Sequence, residues 1–579
     1  MSSEPIDAAS ETKPLRLWPG VVIVALQWLA RFVIPAFAPD FLLYGVMGGL
    51  VGGLLIVLWW AFFSRAPWRE RLGGIALMAI ALVATPLILH VSIATGNMGM
   101  MFPLYAIPVL SLAFVAWAAA SRSLASGPRW ATMAAAIFLS CAVWALFRTG
   151  GNTTDLDHDF AWRWSATPEE RLLAEGDEPT ARRSTPAAHG EGLAETTPAW
   201  PGFRGPARDS ILSGMRIATD WAATPPSELW RRPVGPGWSS FAVDGEVFYT
   251  QEQRGEDEVV ACYRMATGEP VWRHSDPVRF WESVGGAGPR GTPTLSGGRV
   301  YTLGGTGLLN VLDAADGSVV WSRDAAADTG AELPTWAFSG SPLVLGDQVV
   351  VAASGALIAY DLASGEPRWK GPAGGEGYSS PHLLTLDGVE QILQLNGDGL
   401  VGVAPADGTL LWQHEWSGYP IVQPALTADG DILISVTSQS GTRRVAVENG
   451  AGGWTTEELW TSNGLKSYFN DFVVHKGHAY GFDGNILAAI DVADGERRWK
   501  GGRYGGGQLI LLADQDLLLV LSEKGQLALV SAKPDGFEEL AKVPAIEGKT
   551  WNHPVLVDDL LLVRNAEEMA AFRLARSES

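Results

Sequence analysis

IAYDLASGEPRW, residues 358–369, reads as a strand, a tight turn and a returning strand. Ile358, Tyr360 and Leu362 alternate with smaller or polar residues, the two-residue period of a strand. Ala363-Ser364-Gly365 is a turn signal in which the glycine supplies the positive φ. Trp369 follows at a fixed distance on the returning strand. The same spacing recurs as Asp313, Gly317, Trp321 and as Asp491, Gly495, Trp499. Gly268/Trp272 and Gly408/Trp412 keep it with Arg264 and Ala404 at the aspartate position, and Gly536/Leu540 keep it without the tryptophan. A further copy ends at Trp460 with an irregular turn, VENGAGGWTTEELW. From Trp272 to Leu540 the intervals are 49, 48, 43, 48, 39 and 41 residues. Multi-strand repeats of this length point to propeller blades, not to a helical solenoid.

Each blade should begin with an inner strand along the central channel. The approach to each aligns on a recurring proline or apolar residue: Phe241, Pro293, Pro342, Pro381, Pro424, Phe472, Leu509 and Pro554. These are eight lead-ins for seven turn copies, because the chain ends soon after the third strand of the eighth blade. Glu228-Leu229-Trp230 is expected to supply the missing outer strand, closing the ring and covering an edge. Eight blades is the expected count and seven the alternative. Trp230, Trp272, Trp321, Trp369, Trp412, Trp460 and Trp499 are read as packing between blades, since each buries a large apolar ring.

Residues 1–150 are different in kind. Five apolar stretches, at about Trp18–Phe37, Phe41–Phe63, Leu72–Val91, Met100–Ala119 and Trp130–Phe147, each reach the length of a bilayer crossing. A single cleavable signal peptide does not look like this. Lys13 and Arg16 precede the first; Arg65, Arg69 and Arg71 fill the second loop, and Arg122 and Arg129 the fourth. The first loop has only Asp40 and the third, SIATGNMG, has no charge. The positive-inside rule then places the N-terminus in the cytoplasm and everything after Arg148 outside. Gln27, Arg31 and His90 lie in or near these helices. With no second charged partner legible, they are read as snorkelling groups or helix–helix hydrogen bonds.

The remaining residues hold 33 Lys/Arg against 58 Asp/Glu, a net −25. So acidic a propeller is a poor candidate for nucleic acid. Cys141 and Cys262 fall in the two different regions, so no disulfide is expected. Between the regions, Thr167-Pro168-Glu169-Glu170 carries an N-cap, a first-turn proline and a capping-box glutamate, which predicts a helix to about Ala174. Residues 175–197 read as flexible linker, and Trp200–Gly205 (WPGFRG) is expected to pack on the outside of the propeller. The domain reading is an anchor over 1–148, a linker over 149–197 and a propeller over 198–579.

The repeated Asp-Gly-Trp strings over about Trp200–Leu574 resemble those of the quinoprotein, or PQQ-like, eight-bladed β-propellers. Within that group, GPRGTPTLSGGRVYTLGGTG (288–307) and EGKTWNHPVLVDDLLLVRN (547–565) are most similar to bacterial PQQ-binding-like repeat proteins. The resemblance implies one of two functions. One branch holds dehydrogenases that bind pyrroloquinoline quinone with Ca²⁺, and a multi-helix anchor in that branch passes electrons to ubiquinone. The other holds non-enzymatic propellers such as BamB of the outer-membrane assembly machinery. The chain departs from the enzymes in having no adjacent cysteine pair, little room for long insertions between blades, and no placeable Ca²⁺ ligand set or catalytic aspartate. It departs from BamB in having no lipidation cysteine near its start. No catalytic residue is carried over.

A propeller presents ligands where loops converge on one end of its channel. The positions three before each lead-in are Trp238, Arg290, Ser339, Tyr378, Ile421, Phe469, Gly506 and Trp551, and beside them lie Asn470, Asp471, Asn552 and His553. Trp238, Arg290, Tyr378, Phe469, Asn470, Trp551, Asn552 and His553 are therefore the candidate ligand residues, an aromatic wall with a few polar groups. The competing reading is that they plug the channel and cap the strands. No triad, nucleophile elbow or zinc spacing is present in the sequence. The expectation is a five-helix inner-membrane anchor with a periplasmic eight-bladed propeller, serving as a binding or scaffold protein that meets an envelope protein partner. No metal or catalytic residue is assigned. A PQQ- and Ca²⁺-dependent dehydrogenase oxidising an alcohol or sugar is the alternative.

Overall fold

The computed structural model describes residues 15–176, 198–418, 420–436 and 441–577. The chain forms two compact units, Met1–Ser165 with Ser283–Gly285, and Ala166–Glu282 with Gly286–Ser579. The stretch 177–197, most of the expected flexible linker, lies outside the described residues.

The first unit is helical. Its helices α1 (Trp18–Phe37), α2 (Leu42–Phe63), α3 (Trp68–Leu87), α4 (Met101–Ser123) and α5 (Ser126–Leu146) are each long and apolar enough to cross a membrane. Helix α3 starts four residues earlier than hydropathy suggests. Pro67 in extended conformation precedes it, and Arg69, Glu70 and Arg71 form its first turn instead of a loop. Arg71 donates to the Ala61 and Ala66 carbonyls, and Arg129 pairs with Glu70 at 3.3 Å. Helices α1 and α2 approach closely along glycines of α2: a Cβ on Gly52 would fall 2.5 Å from Gln27. Gln27 Nε2 donates to the Gly49 carbonyl at 2.7 Å, and the Arg31 guanidinium lies 4.9 Å from the Tyr105 ring centre. Gln27 thus makes the expected helix–helix hydrogen bond. His90 instead caps the short helix Val91–Ala94, its ring accepting from the Ser92 N–H.

The second unit is an eight-bladed β-propeller. Its four-stranded antiparallel blades span 242–276, 294–324, 343–370, 382–415, 425–462, 473–503, 508–544 and 555–573, the eighth completed by Ser227–Pro233. Seven inner strands begin on the residue after the expected lead-in; the seventh blade's begins at Gln508, one before Leu509. Trp230 pairs with Ala571, so the early strand closes the ring as expected. The extra strand Ile211–Leu212 adds to the seventh blade in parallel.

The recurring spacing has a physical explanation in the interface between blades. The aspartate carboxylate holds the turn, as Asp313 Oδ1 accepts from Ala315 N–H at 2.9 Å and Asp361 Oδ1 from Ala363 and Ser364. The turn glycine takes a positive φ, +74° at Gly317. It also lies against the preceding blade's indole: a Cβ on Gly317 would sit 2.4 Å from Trp272. The indole N–H then donates into that same turn region, Trp272 to the Ala314 carbonyl at 3.0 Å and Trp321 to Leu362 at 3.0 Å. Asp, Gly and Trp are therefore the cap, the socket and the plug of one joint between blades. The fifth blade lacks this turn. Its irregular copy is a hairpin of two ten-residue strands, Gly441–Gly450 and Gly453–Ser462. Trp412, with no socket ahead of it, donates to Gln391 of its own blade at 2.6 Å.

Around the channel, residues just before the lead-ins form a polar belt. Ser240 N–H donates to Thr292, Thr292 N–H to Ser341, and Ser341 N–H to Ser380, at 2.9–3.0 Å. Gln423 N–H donates to Asp471 at 2.6 Å. At these four junctions a blade is thus latched to the next by a side chain that accepts a neighbour's backbone N–H.

The structure corrects one expectation. Trp200–Gly205 does not pack outside; it enters the ring. Trp200 exchanges both backbone hydrogen bonds with Val243 on the first inner strand, and Pro201 accepts from Leu295 N–H on the second. Arg204 donates to the Phe472 carbonyl and Arg208 to those of Ser341 and Pro342. The inward-facing backbone of the inner strands carries carbonyls that no strand satisfies, and a segment with two arginines meets that need. The helix predicted after Thr167 is present as α6 (Pro168–Ala174) with both capping-box bonds. Glu169 binds Arg279 through two 2.8 Å contacts and accepts from Gly255 N–H, which docks the helix on the propeller.

Candidate functional site

Loops before the inner strands bring six aromatic side chains into one connected chain at the channel mouth. Ring centres lie 4.8 Å apart for Trp238–Trp551 and 4.9 Å for Trp551–Phe469. The chain continues through Phe469–Tyr468 at 5.2 Å, Tyr468–Trp336 at 6.2 Å and Trp336–Tyr378 at 5.2 Å. Trp336 leads into the third blade and Tyr468 into the sixth, so their contact spans the opening. The seventh blade contributes only Gly506 at the equivalent position, which lets Trp551 of the eighth reach Phe469 of the sixth. Trp238, Trp336, Tyr468, Phe469 and Trp551 are half-buried and Tyr378 is buried. The Lys549 ammonium lies 4.4 Å from the Trp551 ring centre and 5.3 Å from that of Trp238, a double cation–π contact.

The polar candidates point elsewhere. Arg290 turns into its own loop, donating to Glu282 and to the Gly286 carbonyl at 3.1 Å and lying over Phe280. Burial lowers its pKa to about 10, against the raising fields of Glu282 and Glu258. Asn470 is buried and accepts from the Tyr468 N–H. Asn552 donates to the Gly237 and Ser239 carbonyls at 3.2 and 2.7 Å, fixing the Trp238 loop. His553 faces the inserted segment: its Nδ1 donates to the Pro554 carbonyl at 2.7 Å, so its Nε2 accepts from Ser210 at 2.8 Å. Burial, with Arg204 nearby, lowers its pKa to about 3, and it stays neutral at physiological pH. Of the eight candidates, Trp238, Phe469, Trp551 and Tyr378 share the aromatic chain, and the other four brace it or face away. Trp336, Tyr468 and Lys549 complete it. Trp336 belongs to a long loop that the repeat does not index, whereas Tyr468 and Lys549 flank Phe469 and Trp551 by one and two residues.

A planar quinone has no place between these rings as they stand. Stacking on both faces needs about 7 Å between flanking rings, twice the 3.5 Å carbon–carbon contact, and the ring centres are 4.8–4.9 Å apart. Arg290, the arginine among the candidates, is engaged by Glu282. Among the described residues no three His, Cys, Asp or Glu side chains converge to hold a metal ion. The residues at this mouth therefore do not fit PQQ with Ca²⁺.

Residues 256–501 match a family model described as outer membrane protein assembly factor BamB. BamB from Yersinia pestis is 24% identical over 335 residues, covering 54% of this chain and 81% of that protein. Quinohemoprotein alcohol dehydrogenase ADH-IIG from Pseudomonas putida is 30% identical over 138 residues, covering 22% of this chain and 18% of the enzyme. Among solved structures, BamB from Moraxella catarrhalis superposes with a TM-score of 0.45 at 15% identity, over 61% of this chain and 99% of that one. Over residues 256–501 the propeller is thus similar to BamB, and five long apolar helices precede it in the chain.

Proposed function

We propose that the protein is a membrane-anchored binding or scaffold protein of the cell envelope. In this reading residues 1–148 anchor it in the inner membrane, 149–197 tether it and 198–579 bind. The basic residues before α1 and around the α2–α3 and α4–α5 junctions, Arg16, Arg65, Arg69, Arg71, Arg122 and Arg129, keep the N-terminus in the cytoplasm and send the propeller to the periplasm in this reading. The carrying observation is the aromatic mouth, six rings from five loops with Lys549 held over two of them. Half-buried aromatics beside a cation form the anchor type found at protein interfaces. They suit an apolar or aromatic peptide segment that packs against these rings. The similarity to BamB supports a non-catalytic role, and the closed mouth speaks against the dehydrogenase alternative.

The test is photo-crosslinking in intact cells, with a photoreactive residue replacing Trp238 or Trp551 and, as control, exposed Val319 on an outer strand. The reading expects a discrete adduct with an envelope protein from the mouth positions, lost when Lys549 is changed to Glu. No adduct from either mouth position, or equal adducts from Val319, would refute it. A periplasmic reporter fused after Ser577 that stays inactive would refute the orientation.

A further inference from the structure

The inserted segment carries two arginines into the channel, and their charges are not balanced. Arg204 is buried and has Asp471 at 3.5 Å, with further donations to Ser210, Asp209 and Phe472. Arg208 has carbonyls only: Nη1 donates to Pro342 at 2.9 Å and Nη2 to Ser341 at 3.1 Å. The neighbouring acid, Asp209, turns its carboxylate to the Ile211 N–H at 3.0 Å. Two guanidinium groups thus share one ion-paired carboxylate within the ring.

The segment also covers the channel unevenly. Among the described residues its hydrogen bonds run to blades one, two, three, six, seven and eight, through Val243, Leu295, Ser341, Phe472, Leu511 and His553. The fourth and fifth blades receive none of these bonds. His382 opens the inner strand of the fourth blade, two residues from Ser380, whose hydroxyl latches the Ser341 that Arg208 also binds. His382 is only 5% exposed and its Nδ1 is buried without a hydrogen-bond partner. Burial, then the fields of Arg208 and Arg204, lower its pKa to about 3. At neutral pH it is an uncharged imidazole, and with its proton on Nδ1 that proton has no acceptor. Arg208 remains partly open to solvent.

We propose that this sector of the channel binds a small monovalent anion, a halide or a one-carbon carboxylate, between the Arg208 guanidinium and His382 Nδ1. The anion supplies the missing negative charge and the missing acceptor together. A bound anion also latches the inserted segment against the one sector it leaves uncovered, so occupancy should stabilise the propeller.

The test uses the full chain in detergent, with thermal unfolding and calorimetric titration at constant ionic strength in a gluconate background, chloride and formate being the probes. The expected result is a saturable rise in Tm and saturable heat for chloride or formate. Arg208→Gln should abolish both, and His382→Ala should weaken the apparent Kd at least tenfold. Identical behaviour of wild type in gluconate, chloride and formate would overturn the proposal, as would saturable binding that survives Arg208→Gln. If Arg208→Gln does not fold, His382→Ala decides, and an unchanged Kd in that variant overturns the proposal.

Discussion

Gly317→Ala tests the joint between blades. Gly317 has φ +74°, where a side chain costs about 1 kcal/mol of backbone strain. Its new methyl would sit 2.4 Å from Trp272 Cε3 and 2.8 Å from Cδ2. That ring is pinned by its own N–H bond to the Ala314 carbonyl, within the same turn, so it cannot move away without breaking the bond. Overpacking of this kind costs about 1–3 kcal/mol, giving about 3 kcal/mol in total. Gly245→Ala is the matched control, since Gly245 has φ +57° and open space where a Cβ would go. It should cost only the strain of about 1 kcal/mol. Denaturant midpoints of the full chain, followed by tryptophan emission, compare the two. In a Trp272→Ala background the penalty at Gly317 should fall to that of Gly245. Equal destabilisation by Gly317→Ala and Gly245→Ala in the wild-type background would refute the socket reading.

Arg564 is fully buried and binds Thr250, the Gln251 carbonyl and the Gly235 carbonyl, joining the eighth blade to the first. Arg564→Met strands those acceptors and should cost about 3 kcal/mol in denaturant unfolding; Arg564→Lys should not restore it, because an ammonium cannot fork between them. Burial raises the Glu258 pKa to about 7. The stability of its neutral form is present below the ordinary carboxyl pKa and is lost as pH rises through 7. By pH 8 the loss is about 3 kcal/mol, so Glu258→Gln should flatten the fall in stability between pH 5 and 8, and an unchanged slope would contradict this. Glu169→Gln breaks the charge pair that docks α6 on Arg279. Hydrogen exchange over Pro168–Ala174 should accelerate at least tenfold in that variant, with Thr167→Ala adding the loss of a cap, about 1 kcal/mol.

Legibility of the sequence followed the range of the interaction involved. The Asp313–Gly317–Trp321 spacing encodes a local turn and an adjacent-blade joint repeated along the chain, so the propeller, its eight lead-ins and the closing strand could be read from it. The capping box at Thr167 was legible for the same reason, because both of its bonds are made within four residues. Helix α3 began earlier than hydropathy suggested because a charged first turn, Arg69-Glu70-Arg71, is helical without being apolar. The expectation for Trp200–Gly205 fails because WPGFRG has the composition of a surface loop, yet the segment it opens is buried. What buries it are carbonyls more than a hundred residues away on other blades. At the mouth the aromatic positions followed the repeat. Side-chain direction did not, so Asn552, next to Trp551, braces the Trp238 loop and His553 faces the inserted segment. Trp336 reaches the mouth from a loop that no repeat position indexes.

The most direct test of the account is a titration of the full chain with PQQ and Ca²⁺, read by calorimetry and by quenching of tryptophan emission. With Trp238, Trp551 and Phe469 in mutual contact and Arg290 held by Glu282, the account predicts no saturable binding and no quenching beyond that of a bovine serum albumin control. Stoichiometric uptake, with quenching that depends on Trp238 and Trp551, would contradict the closed mouth and restore the dehydrogenase reading.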